Sequence, residues 1–312
     1  MSAWPEVAGP SPATEPALAA LVARLREEHR DAVQAVLLYG SCLRSGDLFD
    51  GLVDLYLVVD SYRGAYGTGW LALANRLLPP NVFYAQCEVD GQVLRSKVTV
   101  VSLDDFRRGC SRRWYQSYLW GRFSQPVRIV YARDDAANDA VTDAFRQAAT
   151  TLLGRALPAL PASGGLAGLW EQALALSYAT ELRTERPGRA RELVTAALPF
   201  YEAVTRLVAA DLPHRLELNG SGARCRYRAS VAAPARRLAP FTWGLRRVQG
   251  KGLSVARLVK ALFTFTGGLD YIAWKLERHS GERIEVPPRV RRHPLLFSWG
   301  FFWRLYRRGI FR

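Results

Sequence analysis

Several residue types on which common protein chemistries depend are scarce in this chain of 312 residues. The four cysteines, Cys42, Cys87, Cys110 and Cys225, form no C-x-x-C pair and have no metal-ligand spacing. Only four histidines are present, and none lies in an arrangement of nucleophile and base. These absences argue against a zinc site and a disulfide framework. They indicate free thiols in a reducing cytosol.

Long hydrophobic runs are absent as well. A helix that spans a bilayer needs about 18 or more consecutive apolar residues, and the best candidate, residues 258–274, is interrupted by Lys260 and Asp270. The first 16 residues are rich in proline and alanine and lack the basic start and apolar run of an export signal. We expect a disordered leader over residues 1–16 and no integral membrane segment.

Negative charge is scarce relative to positive charge. The 28 acidic residues are outnumbered by 43 basic ones, so the formal net charge is +15 and the isoelectric point is near 10.1. Most of the basic residues are arginines, and an arginine-rich composition can follow from the base composition of a genome. The excess of positive charge still predicts a polyanionic partner, such as a nucleotide, a nucleic acid or an anionic membrane.

The stretch with the clearest chemical content predicts a buried strand over Val36–Tyr39, a tight turn and a second strand over Leu52–Val59. Gly40 in the turn has no Cβ, so its backbone can approach a phosphate, and Ser41 adds a hydroxyl and free N–H groups. Asp54 is a carboxylate within an apolar strand, which is costly unless a cation or a donor partners it. The stretch predicts a phosphate site beside a metal site, although an ordinary β-turn also accounts for Gly40 and Ser41.

The elements around this stretch predict an α/β (α+β) fold class, with a mixed sheet covered by helices on one face. The apolar spacing predicts an amphipathic helix over Pro16–Arg30 that buries Leu18, Leu21, Val22 and Leu25. The other predicted elements are a helix at Trp70–Leu78, a hairpin of Val82–Val89 and Val93–Ser102 turning at Asp90-Gly91, one helix at Asp104–Phe123 and a strand at Val127–Tyr131. We expect this first domain to cover residues 17–135.

The rest of the chain is predicted to be mainly helical. A helical pattern runs from Ala136 to about Asp211, with breaks at Pro158–Gly165 and Pro187-Gly188. A hairpin over Leu216–Leu218 and Arg224–Arg228 then favours a winged-helix-like second domain at residues 136–248. We expect a linker at Gln249–Gly252 and an amphipathic C-terminal segment at residues 249–312, with helices at Leu253–His279 and Pro294–Arg308.

Six motifs occur in the order that is typical of a known family. They are YGS (Tyr39–Ser41), VDLYLVVD (Val53–Asp60), KVTVVS (Lys97–Ser102), W-x-x-x-Y-x-x-GR-x-x-x-PV (Trp114–Val127), LSYATELR (Leu176–Arg183) and KALFTFTGGL (Lys260–Leu269). The chain resembles the mitochondrial translocator assembly and maintenance proteins, which are peripheral-membrane phosphatidate cytidylyltransferases that also occur in bacteria. Its Gly-Ser…Asp pattern is similar to that of the polymerase β-like nucleotidyltransferases.

This resemblance implies a reaction, a cofactor and a location. The reaction is CTP plus phosphatidic acid giving CDP-diacylglycerol and pyrophosphate, with Mg²⁺, in phospholipid biosynthesis. The nucleophile would be the phosphate of the lipid, which is already anionic at neutral pH, so positioning and charge neutralisation supply most of the catalysis. The implied location is the bacterial cytoplasm, on the cytoplasmic face of the inner membrane.

The resemblance also suggests residue roles. Asp54 is the first metal ligand and, with Lys97, a catalytic candidate; the nucleotide-binding candidates are Gly40, Ser41, Arg122 and Arg183. Lys97 lies within an apolar strand, where a triphosphate or an acidic neighbour such as Glu88 would relieve the cost of its charge. Arg122 has a planar fork that matches phosphate oxygens, and the alternative is an ordinary surface arginine. Arg183 is either a phosphate ligand from the second domain or a structural residue.

The chain departs from the related proteins at two positions. Cys42 stands where the family usually has glycine, and Tyr56 stands where the superfamily commonly has a second acid. The second metal ligand must therefore come from elsewhere, and Glu88 and Asp47 are equal candidates. Asp60 lies on the same strand face but roughly 20 Å from Asp54, which is too far for shared ligation.

The C-terminal residues PLLFSWGFFWRLYRRGIFR mix aromatic and basic side chains. On a helix Arg304, Arg307 and Arg308 share one face, opposite much of the aromatic surface. This pattern favours binding at the headgroups of an anionic membrane, and Lys251, Arg257, Lys260, Lys275 and Arg278 are candidates to extend the same surface. The alternative is a helix docked on the body of the protein.

Three other functions are compatible with these patterns. One is a nucleotidyltransferase with another acceptor, such as a different lipid phosphate, a small metabolite or an RNA end. Another is a non-catalytic protein that binds nucleic acid through its basic surface, but no recognised nucleic-acid motif is present, so we expect no such partner. The last is a degenerate nucleotidyltransferase that tethers partners to a membrane.

Overall fold

The computed structural model describes residues 4–7, 14–49, 51–67, 69–182, 188–264 and 284–292, together with residues 277, 300, 303 and 307. In chain order its elements are α1 (Glu15–His29), β1 (Val33–Tyr39), α2 (Ser41–Ser45), β2 (Val53–Val59), α3 (Tyr62–Tyr66), α4 (Trp70–Leu77), β3 (Asn81–Val89), β4 (Gln92–Ser102), α5 (Leu103–Cys110), α6 (Trp120–Phe123), β5 (Arg128–Ala132), α7 (Asp135–Ala156), β6 (Ser163–Gly165), α8 (Leu166–Tyr178), α9 (Arg189–Ala196), α10 (Leu198–Val208), β7 (Arg215–Asn219), β8 (Arg226–Ser230), α11 (Ala233–Thr264) and α12 (Pro288–Arg292). The α/β class predicted from the sequence is confirmed.

A five-stranded mixed sheet organises the first part of the chain. Its strand order is β3-β4-β2-β1-β5, and β2 and β4 are parallel whereas the other neighbours are antiparallel. The register pairs Tyr39 on β1 with Asp54 on β2, and Asp54 with Lys97 on β4. Three polar side chains are therefore aligned across three adjacent strands at one end of the sheet.

Helices cover both faces of this sheet, so the prediction of helices on one face was wrong. The odd-numbered residues of β2 pack in a cluster with α1, whose predicted face of Leu18, Leu21, Val22 and Leu25 is buried. Tyr56 and Val58 point to the opposite face and join a second cluster with α7 and α8. Because β2 is apolar on both faces, each face needs its own cover.

The hairpin of β3 and β4 confirms the turn predicted at Asp90-Gly91. Both residues have positive φ, 52° and 74°, as a tight two-residue hairpin turn requires. The prediction of one helix at Asp104–Phe123 was wrong, because residues 111–119 separate α5 from α6. The Arg155 guanidinium on α7 donates to the carbonyls of Arg112, Trp114 and Tyr115 at 2.7–2.9 Å. Those carbonyls are satisfied by a distant side chain, and local periodicity cannot reveal such a contact.

The second part contains a small sheet of order β6-β8-β7 among helices. The hairpin of β7 and β8 agrees with the predicted one, whereas β6 forms within the break predicted at Pro158–Gly165. Buried side chains of both parts, including Tyr56, Phe106, Trp170 and Trp243, form one continuous hydrophobic cluster. The boundary near residue 135 stays a prediction.

The linker predicted at Gln249–Gly252 was wrong, because α11 continues through it from Ala233 to Thr264. Gly250 permits close packing here, since a Cβ at this position would collide with the backbone oxygen of Thr180. Most of the predicted helix at Pro294–Arg308 lies outside the described residues. No single helix among the described residues is long and apolar enough to cross a membrane; one pair, Arg189–Ala196 and Leu198–Asp211, satisfies length and composition together but is bent by 82°.

Candidate functional site

A cleft of about 580 Å³ lies between the end of the large sheet and the helices that follow it. One side, here called the sheet wall, is formed by Tyr39, Gly40, Ser41, Arg44, Asp54 and Lys97. The other side, the helical wall, includes Arg122, Gln125, Tyr178, Glu181, Arg189 and Tyr201. Five of the residues predicted from the sequence, Gly40, Ser41, Asp54, Lys97 and Arg122, therefore meet in one cleft.

Asp54 and Lys97 lie side by side because their strands are parallel and in register. Lys97 Nζ is 3.9 Å from Asp54 Oδ1, and the two side chains are 38% and 27% exposed. This distance is at the outer limit of an ion pair. The partly exposed carboxylate faces the cleft and is not enclosed by the lysine.

Gly40 brings the backbone of the turn into contact with the Asp54 carboxylate. Its φ is +91°, and a Cβ at this position would lie 2.8 Å from Asp54 Oδ2. Any other residue would be strained and would press on the carboxylate. The group that Gly40 approaches in the structure is Asp54, and the predicted approach to a phosphate stays a prediction.

The Asp54 carboxylate is the kind of group that can hold Mg²⁺ together with oxygens supplied from outside the chain. Mg²⁺ is usually held by one or two carboxylates together with substrate phosphates and water. Asp54 supplies one such carboxylate beside an opening that a Cβ at Gly40 would fill. No group of three or more His, Cys, Asp or Glu side chains among the described residues could hold a metal by itself.

Arg122 on α6 is the most enclosed cation of the cleft. Its Nη1 donates to the Tyr56 hydroxyl at 3.0 Å, and its Nη2 is 3.5 Å from the Glu181 carboxylate. Burial alone would lower the pKa of Arg122, but Tyr56, Tyr118 and Glu181 outweigh burial and hold the pKa well above its usual value. The guanidinium is therefore permanently charged, and Tyr56 is one of its hydrogen-bond partners.

The pKa values of two tyrosines near Arg122, Tyr39 and Tyr118, are shifted in opposite directions. Burial and then the nearby Asp54 carboxylate raise the pKa of Tyr39 well above its usual value. Burial would also raise the pKa of Tyr118, but Arg122, Lys97 and Arg257 outweigh burial and lower it. Three cations thus favour the loss of a proton from Tyr118, whereas Tyr39 keeps its proton beside Asp54.

Among the lining residues that were not predicted as ligands from the sequence are Arg44, Tyr178, Arg189 and Tyr201. Burial and then the charge of Arg189 lower the pKa of Arg44. Tyr178 donates to Gln125 Oε1 at 2.8 Å, and Arg189 Nη1 is 3.1 Å from Glu192 Oε2. The position of Arg44 three residues after Ser41 was a usable signal, whereas Arg189 resembles any exposed helical arginine.

Some predicted residues are not brought into the cleft. Glu88 is exposed near the tip of the β3–β4 hairpin, and the exposed Asp47 accepts from the backbone N–H of Phe49 at 2.8 Å. Neither lines the cleft, and their roles as metal ligands stay predictions. The acidic neighbour of Lys97 is Asp54 and not Glu88. Arg183 lies outside the described residues.

Comparison with known proteins adds a family. The model of a family described as "Phosphatidate cytidylyltransferase, mitochondrial" matches residues 60–218, about half of the chain. The match includes Lys97, Arg122, Tyr178, Glu181, Arg189 and Tyr201, while Gly40, Ser41 and Asp54 precede it. Among solved structures, a nucleotidyltransferase-like protein from Exiguobacterium sibiricum 255-15 is 13% identical, with 63% of this chain and 76% of that chain covered and a TM-score of 0.26. No curated protein matches the chain.

Proposed function

Because this chain belongs to the family of mitochondrial phosphatidate cytidylyltransferases, we propose that it transfers a cytidylyl group from CTP to the phosphate of phosphatidic acid. The observation that carries the proposal is the convergence of Gly40, Asp54, Lys97 and Arg122 in one cleft. These residues come from three strands or turns and from a separate helix. Together they provide one carboxylate and two cations around a space of about 580 Å³.

The proposed step is a displacement at the α-phosphorus of CTP. A non-bridging oxygen of the lipid phosphate forms a bond to that phosphorus, and the bond from phosphorus to the oxygen bridging to the β-phosphate breaks. Pyrophosphate leaves with the electron pair. The attacking oxygen is already anionic, so no side chain has to remove a proton, in agreement with a cleft whose described lining contains no histidine.

The residues then act by position and charge. Asp54 would hold Mg²⁺ together with phosphate oxygens, and the ion would supply neutralisation of the triphosphate charge. Lys97 and Arg122 would stabilise the negative charge that develops on the phosphate oxygens and the leaving group. The backbone at Gly40 and the Ser41 hydroxyl would orient the phosphates, and the protonated Tyr39 hydroxyl can donate to an adjacent oxygen.

A radiometric assay with the purified full chain tests the activity. With Mg²⁺, CTP and phosphatidic acid we expect equal amounts of CDP-diacylglycerol and pyrophosphate, and much less product when ATP, GTP or UTP replaces CTP. A small phosphomonoester and an RNA end are the comparison acceptors. Preferred transfer to one of these would replace the lipid as acceptor. No transfer to any acceptor would favour the tethering function.

Membrane binding is the second part of the proposal, with the cytoplasmic face of the inner membrane as the location. Support comes from two neighbouring helices with exposed apolar residues. They are Trp70, Leu73 and Leu77 on α4, and Phe241, Leu245, Val248, Val255, Val259 and Phe263 on α11. Exposed Arg247 and Lys251 lie on α11 as well. Apolar surface with adjacent basic charge suits an anionic bilayer.

Two of the basic residues predicted for this surface face inward instead. Arg257 Nε donates to the Pro79 carbonyl at 2.9 Å, and Lys260 Nζ donates to the Pro80 carbonyl at 2.7 Å. These bonds attach α11 to the chain that follows α4. Of the C-terminal aromatic and basic residues, Trp303 and Arg307 are exposed, and most of the others lie outside the described residues.

Sedimentation with phosphatidylglycerol-containing vesicles separates the two candidate membrane contacts. A double variant Val248→Ser/Val259→Ser tests α11, and truncation after Arg292 tests the tail while keeping the buried Val286 and Val290. We expect both to sediment less than the wild type and to keep activity on a dispersed short-chain phosphatidate. Unchanged sedimentation of both variants would exclude these segments as membrane contacts.

A further inference from the structure

A second group of charges lies in the cleft, separate from the surroundings of Asp54 and Arg122. Arg44 on α2 belongs to the sheet wall, and Arg189 at the start of α9 belongs to the helical wall. Burial and then the positive charge of Arg189 lower the pKa of Arg44. Two arginines thus line one cleft from different walls, and their like charges repel each other unless an anion lies between them.

The two arginines differ in the partners that their positive charges have among the described residues. Arg44 makes no hydrogen bond or ion pair with any described residue, although it lines the same cleft as Arg189. Arg189 has Glu192 as a partner at 3.1 Å, but that carboxylate is 68% exposed and engages Nη1. A surface ion pair of this kind is weak. An anion with two or more charges can therefore compete with Glu192 for Arg189.

Tyr201 provides an independent observation. The residue is fully buried, with 0% of its surface exposed, and its ring packs against Trp170 at 4.7 Å between centroids. Tyr201 is one of the residues that line the cleft, and its buried hydroxyl has no hydrogen-bond partner among the described residues. A buried hydroxyl without a partner costs free energy, so this group indicates a ligand that accepts its proton.

We propose that Arg44, Arg189 and the Tyr201 hydroxyl form a subsite for a phosphate dianion, which takes the terminal phosphates of the nucleotide and then the pyrophosphate product. The planar forks of arginine match phosphate oxygens, and a phenol donates the third bond. The assignment to the nucleotide rests on the proposed function.

The nucleotide is favoured over the lipid phosphate because of where Arg44 lies in the chain. It is on the short helix that begins at Ser41, directly after Gly40, so the subsite adjoins the turn proposed to orient the triphosphate. Arg122 and Lys97, beside Asp54, are left to act at the α-phosphate. With Arg44 and Arg189 on opposite walls, the terminal phosphates also connect the sheet to the helical part.

Binding of inorganic pyrophosphate to the full chain, measured by calorimetry in EDTA, tests the subsite without turnover and without metal. Arg44→Ala and Arg189→Ala should each weaken pyrophosphate binding about tenfold. Arg226→Ala is the matched control, because Arg226 is an exposed arginine that does not line the cleft. Equal weakening by all three variants would show that pyrophosphate binding depends only on the net charge of the protein, and it would overturn the proposed subsite.

Tyr201→Phe separates ligand binding from folding. Removal of a hydroxyl without a partner should leave the melting temperature unchanged or raise it, while pyrophosphate binding weakens about threefold to tenfold. A lower melting temperature together with unchanged pyrophosphate binding would show that the hydroxyl serves the fold and not a phosphate. Glu192→Gln should strengthen binding, since it removes the competing carboxylate.

The source of the phosphate is distinguished by competition. CTP should displace pyrophosphate, whereas CMP and a dispersed short-chain phosphatidate should not. Displacement by phosphatidate alone would overturn the assignment to the nucleotide. If the chain transfers no nucleotide but the pattern among the pyrophosphate variants holds, the subsite is supported and the cytidylyltransferase proposal fails.

Discussion

The two walls of the cleft are built in different ways. On the sheet wall, Asp54 and Lys97 are placed by the register of parallel strands, and Gly40 is placed by the end of β1. On the helical wall, Arg122 comes from a four-residue helix and is fixed by the Tyr56 hydroxyl and the Glu181 carboxylate. The first wall depends on backbone geometry, and the second depends on side-chain contacts between distant parts of the chain.

This difference decides how each wall should respond to substitution. Strand register is maintained by many backbone hydrogen bonds. Replacing one polar residue of the sheet wall should therefore lower the activity without displacing the neighbouring residues. A substitution on the helical wall also leaves a buried partner unsatisfied, so it should affect stability as well as binding. Four experiments test this contrast.

The largest effect is expected for Asp54→Asn. This variant keeps the size of the side chain but removes the charge that would hold the metal, so the rate of CDP-diacylglycerol formation should fall on the order of 10³-fold. The melting temperature should stay close to that of the wild type, because the carboxylate is 27% exposed and its partner Lys97 is 3.9 Å away. The rate is measured in the radiometric assay and the melting temperature by calorimetry.

Glu88→Gln and Asp47→Asn are the matched carboxylate controls. Neither residue lines the cleft, so both variants should keep activity close to wild type. A loss in either variant as large as that of Asp54→Asn would identify it as a second metal ligand. Full activity in Asp54→Asn would remove Asp54 from the mechanism.

Gly40→Ala should have the next largest effect, and Gly67→Ala is its control. Both glycines have φ and ψ values in a region that is essentially restricted to glycine, +91°/−155° at Gly40 and +70°/−157° at Gly67. Both substitutions should therefore cost about 1–3 kcal/mol of stability. Only at Gly40 would the new Cβ meet the Asp54 carboxylate, and there the rate should also fall on the order of 100-fold. Equal rates in the two variants would contradict the role of the close approach.

Arg122→Lys tests the helical wall. A lysine cannot contact Tyr56 and Glu181 while also presenting a planar fork, so we expect the KM for CTP to rise about tenfold or more and the melting temperature to fall. Tyr56→Phe removes one partner of Arg122 and should raise the KM about threefold. If Arg122→Lys changes only the rate and not the stability, the two walls do not differ in the proposed way.

The smallest effect is expected in the pH dependence of stability. It concerns Lys260, which attaches α11 to the chain that follows α4. Burial and then the charge of Arg257 lower the pKa of Lys260 to about 8. Between pH 8 and the pKa of about 10.4 in the unfolded chain, the unfolded state binds more protons than the folded state, so stability should rise with pH in that window. The melting temperature of the wild type relative to Lys260→Met should therefore increase from pH 7 to pH 10. A difference that does not change with pH would show that Lys260 is not perturbed.

Regular local patterns made much of the fold predictable. The apolar face of α1, the hairpin at Asp90-Gly91 and the strands of Val53–Val59 and Arg215–Asn219 follow from short-range periodicity and turn chemistry. The errors arose where distant contacts override local preference. Arg155 donates to a carbonyl of the segment between α5 and α6, where the sequence predicted one continuous helix. The glycines predicted to form a linker lie within α11, and there Gly250 packs closely against Thr180.

The candidate site divides in the same way. Asp54 and Lys97 could be identified from the sequence because a lone charge in an apolar strand is costly and demands a partner. The convergence of Arg44, Arg189 and Tyr201 could not be predicted. The position of Arg44 shortly after Ser41 was a usable signal for that residue alone, and nothing near Arg189 or Tyr201 in the chain indicates the same site.

The sequence by itself determined the strand pair around Gly40, the acid at position 54 and the excess of positive charge, because these depend on residue type and on neighbours a few positions away. Only the tertiary structure decided which arginines face the cleft, that Tyr56 binds Arg122 in place of a second acid, and that α11 turns Arg257 and Lys260 inward. The physical reason is that long side chains take their positions from partners remote in the chain, and nothing in a local pattern encodes those partners.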